Sequence, residues 1–215
     1  MTATTRPLWL SPRADVIAAE DVSVWRSGKP DYTLTMDRLA AERQVNFEEG
    51  SLEDSVTNLV RVFEMEASYK ADAATWISVD PTVFTMKTNG GPAVTAQEVA
   101  DKGAYNWFIG ERPDYRASEH DFDSSEVVFH QAFPEGFLWE LTRLTVALPV
   151  ATLQWRHWGT MTGVFDGVAG DGGEFEMFGT SVVTLNDDLK IVSSEHYFDV
   201  GIMFDQLKGR CPVAH

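Results

Sequence analysis

The sequence predicts an α+β fold, a curled antiparallel sheet with helices packed on one face. Two observations carry that expectation. Helical patterning is concentrated in the first half of the chain and long strands in the second, a segregation that excludes a doubly wound sheet. Three segments rich in β-branched and aromatic residues, 153–165, 174–185 and 191–199, are separated by the glycine-rich break 166–173 and the tight turn Asn186-Asp187-Asp188. Each is longer than the usual five or six residues, so the sheet should be twisted and able to wrap a ligand.

In chain order, residues 1–50 read as an extended arm, with Pro7, Pro12, Gly28 and Pro30 breaking any regular pattern and Trp9 and Trp25 available as anchors. A short helix over 34–43 interrupts it. Ser51, followed by Glu53 and Asp54, starts a long helix to about Lys70, with Val56, Leu59, Val60, Phe63 and Ala67 forming one apolar stripe. A helical turn at 72–76, a strand over 82–87 and a helix over 95–108 follow, the last capped by Thr95 with Glu98. A polar loop is expected over 110–124. The runs 126–133 and 137–147 read as strands joined at Pro134-Glu135-Gly136, ahead of the meander and a short helix at 202–207. The folded domain therefore spans 51–209, with 210–215 as a tail.

Composition narrows the functions. A net charge of −16 and a pI near 4.6 argue against nucleic acid and anionic membranes as partners and leave a small molecule open. No run approaches a membrane span and the first ten residues lack the apolar core of a secretory signal, so a cytoplasmic location is expected. Cys211 is alone, which excludes an internal disulfide and reads as a plain thiol rather than a metal ligand. No phosphate-binding loop, dinucleotide fingerprint, nucleophile elbow or paired-cysteine motif is found, so no cofactor and no metal is expected.

The stretches Trp25-Arg-Ser-Gly-Lys-Pro-Asp-Tyr32, Glu49-Gly-Ser-Leu-Glu53, Trp155-Arg-His-Trp-Gly-Thr-Met-Thr-Gly163, Glu174-Phe-Glu-Met-Phe-Gly179 and His196-Tyr-Phe-Asp199 resemble the plant pathogen-related protein family over most of the chain. The ending Phe198-Asp199 with Phe204-Asp-Gln-Leu207 also resembles the wider SnoaL-like polyketide cyclases of the nuclear transport factor 2-like superfamily. The resemblance implies a cone of helices on a curled, mixed sheet. It also implies that Asp199, matching the acid that closes the last cyclase strand, transfers protons. Where those cyclases often carry His in a Gly-Thr-His-x-Gly stretch, this chain has Met161.

Asp199 has two readings, a carboxylate at the mouth of an apolar cone with a raised pKa, or the cap of the following helix. By strand alternation it shares a face with Glu195 and Tyr197, opposite His196 and Phe198. His157, on a face with Leu153 and Trp155, reads either as a proton relay or as a satisfied structural imidazole. Tyr69, Trp76, Trp155 and Tyr197 are the candidate substrate-binding aromatics, Tyr69 being better suited to helix–sheet packing. Together these suggest a lyase, isomerase or cyclase acting by acid–base chemistry on a small apolar oxygenated molecule such as a terpenoid epoxide or polyketide. The alternative is a binding protein without catalysis. Because Phe175 and Met177 alternate with Phe178 and Val182 on opposite faces, a homodimer covering the second sheet face is expected.

Overall fold

The computed structural model describes residues 6–209; the tail 210–215, with the Cys211 thiol, lies outside them, as does the start of the arm. Helices α1 (Arg13–Ala19) and α2 (Thr33–Glu42) interrupt the arm, and α3 (Leu52–Tyr69) is the long helix foreseen from its stripe. The Ser51 hydroxyl accepts from the Asp54 backbone, with two acids in the first turn facing the positive end of the helix dipole. Strand β1 (Thr85–Thr88) precedes α4 (Ala96–Lys102) and α5 (Ala104–Ile109). The single helix expected over 95–108 breaks at Gly103, whose φ of 90° ends one helix and starts the next, and whose missing Cβ avoids the Ser125 hydroxyl. The expected polar loop holds a small hairpin, β2 (Glu111–Arg112) with β3 (Tyr115–Arg116).

The main correction to the sequence reading is α6 (Phe122–His130). The run from Glu126, expected as a strand, is its second half. Asp121 and Ser124 each accept from the other's backbone N–H, and Phe122, Ser125 and Phe129 form the buried face, so capping and helical period outweigh β propensity.

The remaining strands are β4 (Leu138–Ala147), β5 (Val150–Thr160), β6 (Val164–Phe165), β7 (Val168–Ala169), β8 (Glu174–Leu185) and β9 (Ile191–Phe198), and α7 (Val200–Leu207) ends the described chain. The main sheet runs β1-β9-β8-β5-β4, with β1 parallel to β9 and every other neighbour antiparallel. It is the mixed sheet of an α+β fold. One face, carrying Leu153, Trp155 and His157 of β5 opposite Ser181, Gly179 and Met177 of β8, meets the inner helices across the main core.

The other face is covered only in part. Leu39 of α2 packs on Leu138 and Trp158 at one end, while Phe178 and Tyr197 stay 59% and 42% exposed. Trp25 of the arm does not reach this face: it packs with Val16 against Val62 and Met65 on the outer side of α3. No helix among the described residues is long and apolar enough to cross a membrane.

A buried ion pair fixes the end of α3. The Lys70 ammonium reaches Glu66 and Glu20 at 2.8 Å each and donates to the Thr75 carbonyl, while Glu66 accepts from the backbone of Ile77 and Ser78. Removing one member of such a pair leaves an uncompensated buried charge. Lys70→Met should cost about 3–5 kcal/mol in urea unfolding, and adding Glu66→Gln should recover part of that loss.

Candidate active site

A cavity of about 190 Å³ lies between the inner sheet face and α3, α5, α6 and α7. Its walls are mostly aromatic and aliphatic: Phe63 from α3, Tyr105 and Phe108 from α5, Phe137 and Trp139 at the start of β4, and Trp155 from β5. That volume exceeds the roughly 150 Å³ that holds a benzene and falls short of the about 300 Å³ where ordinary ligand sites begin, so it suits one ring.

On the sheet side of the cavity Trp155, Ser181 and His196 satisfy one another. Trp155 Nε1 donates to the Ser181 hydroxyl at 3.0 Å, which leaves that hydroxyl to donate to His196 Nδ1 at 2.8 Å. His196 Nε2 then carries the proton and donates to the Ser194 hydroxyl at 3.2 Å. Burial pushes the His196 pKa down to about 4, and the ring stays neutral. Trp155 can lie this close to β8 because its partner is Gly179, where a Cβ would stand 2.1 Å from the indole. His157 stacks on Phe137 at 3.5 Å, its Nδ1 has no partner, and burial takes its pKa down to about 3. A ring so reluctant to take a proton is a hydrogen-bonding group here, not a proton carrier near neutrality.

The helix side holds the titrating group. Glu126 of α6 lines the cavity with a side chain only 12% exposed, and its Oε1 is buried without a hydrogen-bond partner. Desolvation, with Glu64 nearby, raises its pKa to about 8, and Arg26 offsets only part of this. One helical turn on, His130 Nε2 stands 3.7 Å from Glu126 Oε2. Its ring is 55% open at the rim, so solvent screening limits the lowering of its pKa by the surrounding protein. The Tyr105 ring meets His130 edge-on, and burial holds its hydroxyl protonated. Among the described residues no cluster of three His, Cys, Asp or Glu side chains could hold a metal ion.

Of the residues singled out by sequence, Trp155 and His157 line the cavity together. Asp199 does not. Strand alternation sends Ser194, His196 and Phe198 inward and Tyr197 outward, where its hydroxyl donates to Glu195, while Asp199 accepts from the Ile202 backbone as the cap of α7. Tyr69 packs edge-on against Tyr32 in the arm cluster, and Trp76 is buried against Phe63 behind the cavity wall. Sequence reasoning missed Glu126 and His130 because it placed them on a strand. The Asp121-x-x-Ser124 cap was the signal that would have put both on one helix face.

No protein-family model matches the chain. It is 33% identical over 190 residues to the pathogen-related protein of Hordeum vulgare, a match covering 85% of this chain and 81% of that protein. Among solved structures, a proposed SnoaL-like polyketide cyclase from Jannaschia is 16% identical with a TM-score of 0.46, covering 79% of this chain and all of that one. IdmH, a proposed polyketide cyclase from Streptomyces antibioticus, is 14% identical with a TM-score of 0.45 over 70% of this chain and 96% of that one.

The pKa of Glu126 sets a pH dependence of stability. Raised from 4.5 to about 8, the group contributes stability that is fully present below about pH 4.5 and is lost as pH rises through about 8. The buried histidines act in the opposite sense, losing stability as pH falls from 6.5 toward about 4 for His196 and about 3 for His157. Glu126→Gln, which cannot ionise, should therefore be more stable than the parent at pH 8, on the order of a few kcal/mol, with the gap closing near pH 4 in urea titrations.

Proposed function

This chain belongs to the pathogen-related protein family, a membership that names no reaction, and from the chemistry of its cavity we propose a cofactor-independent lyase, isomerase or cyclase. The observation that carries the proposal is the desolvated Glu126 carboxyl, one oxygen unpartnered, beside His130 at an aromatic cavity. With a pKa of about 8, Glu126 is protonated at neutral pH and can give its proton to a ligand oxygen. His130, its pKa below 6.5, is neutral there and can take a proton from carbon or water. One acid and one base held a helical turn apart suffice for double-bond migration, elimination or ring closure. His157, neutral and with a free ring nitrogen, would orient the ligand. The substrate is a small apolar oxygenated molecule with a single ring, a terpenoid epoxide or a compact polyketide being of the right kind.

A second reading, a binding protein that holds such a metabolite unchanged, is favoured by one fact: the acid that the cyclase resemblance implied, Asp199, is spent on capping α7. Native mass spectrometry of freshly purified protein separates the readings. A retained compound released unaltered supports binding, and an altered one supports catalysis. With that compound in hand, Glu126→Gln should lower turnover at least about a hundredfold while Asp199→Asn stays within about tenfold; the reverse order would overturn the assignment of the acid.

We also propose that the part of the outer sheet face left bare by α2 joins two copies, since Phe178, Tyr197 and Val150 are exposed there. Light scattering at micromolar concentration should give twice the 24.0 kDa chain mass. Phe178→Glu should return it to the monomer mass.

A further inference from the structure

The helix wall of the cavity carries more unused hydrogen-bonding capacity than the acid alone accounts for. Tyr105 of α5 and Ser68 of α3 both line the cavity, and among the described residues neither hydroxyl makes a hydrogen bond to the protein. Unlike Glu126 Oε1, neither is sealed into the packing, so both keep open surface where they line the void. Elsewhere the same kinds of group are satisfied. Ser55 and Thr57, also on α3, turn their hydroxyls back onto carbonyls one turn earlier at 3.0 and 2.8 Å, the usual habit of a helical hydroxyl. The buried Tyr115 gives its hydroxyl to Asn106 Oδ1 at 2.7 Å. Polar groups inside a protein are normally paired, so two free hydroxyls at one cavity mark a place where a partner from outside belongs.

The ring of Tyr105 fixes where its hydroxyl lies. It stacks on Phe129 at 4.4 Å and meets His130 edge-on at 6.1 Å, both on the helix that carries Glu126. Burial raises the Tyr105 pKa most, and Glu126 adds more to that rise than Glu64 or Tyr69 does, so the hydroxyl keeps its proton and lies on the side of the carboxyl. The wall therefore meets a ligand with two hydrogens, one from a phenol and one from a carboxylic acid. A carbonyl oxygen, with two lone pairs and no hydrogen of its own, is the partner that uses both.

We propose that Tyr105 is a second hydrogen-bond donor to the ligand oxygen that Glu126 meets, and that this oxygen is the carbonyl of a ring-bearing ketone or aldehyde. The inference rests on the reading of this cavity as a ligand site with Glu126 as its acid. When His130 takes a proton from the carbon beside such a carbonyl, the C–H electron pair forms the new C=C bond and the C=O pair moves onto oxygen. Two donors already aimed at that oxygen stabilise the charge as it develops, and the proton on His130 returns to carbon or oxygen to close the step.

Isothermal titration of the full chain with acetophenone and with toluene, together with the infrared spectrum of bound acetophenone, tests this. Both compounds should bind, and the carbonyl stretch of bound acetophenone should fall below its value in hexane. Tyr105→Phe keeps the stacked ring and removes a hydroxyl that bonds nothing in the protein, so the fold is not threatened. It should weaken acetophenone about two- to tenfold, raise the carbonyl stretch toward the hexane value and leave toluene unchanged. A purely structural tyrosine would move both ligands or neither, and would not move the stretch. If acetophenone binds the parent with a lowered stretch and Tyr105→Phe alters neither affinity nor stretch, Glu126 acts alone and this inference falls while the reading of the acid stands. If neither compound binds, the cavity is not a ligand site and both readings fall together.

Discussion

The cavity exists because the long helix is held over the sheet at a fixed height and angle, and the Lys70–Glu66 pair is what holds its end. Both side chains are fully buried, an expensive arrangement that is tolerable only when every charge is answered. Here Lys70 answers two carboxylates and a carbonyl, and Glu66 answers two backbone amides and a hydroxyl from the segment leading to β1. Glu20 brings the arm into the same knot, and Trp25 lies over the ammonium at 5.0 Å. Arm, helix and the entry to the sheet are thus tied at one point. The apolar stripe of α3 can then face the sheet without collapsing onto it, leaving the space that Phe63 and Trp155 line.

A second constraint acts from the sheet. The indole of Trp155 occupies the room that Gly179 vacates, and its N–H sets the Ser181 hydroxyl, which sets the His196 tautomer. The chain of donors leaves His196 neutral with both nitrogens used. The sheet wall is therefore polar without being reactive. The group with a raised pKa lies on the helix wall, where Glu126 has burial and neighbouring acids but too little compensation from Arg26. Three imidazoles and the Glu126 carboxyl face one cavity, and environment alone sets them apart.

What could be read from the sequence follows from which signals were local. The stripe of α3, the Thr95–Glu98 cap and the meander are written in short-range pattern, and all are present. The face of β9 that turns inward depends on its register with β8, pairing His196 with Ser181, which no local pattern states. Asp199 carried two local meanings, catalytic acid and helix cap, and only the placement of α7 chose between them. Tyr69 and Trp76 are aromatics at helix ends near the cavity, but the arm takes the first and the Phe63 ring the second. The run after Asp121 held a conflict between β-rich composition and a helix cap. Tertiary packing of Phe122 and Phe129 resolved it toward the helix and brought Glu126 and His130 to the site.

The overall charge of −16 and the apolar pocket are linked. Acids around α3 and α6, Glu64 and Asp123 among them, add to desolvation in keeping Glu126 protonated, so the surface field neutralises the acid inside. His157 and His196 are neutral as well, each driven there by burial. At neutral pH these three groups facing the cavity are therefore uncharged although the protein carries much charge. An anionic ligand would meet repulsion outside and no counter-charge within, whereas a neutral oxygenated molecule meets a wall of rings and a carboxyl that still holds its proton. Charge on the outside and neutrality on the inside thus act together, and both fit the acid role proposed for Glu126.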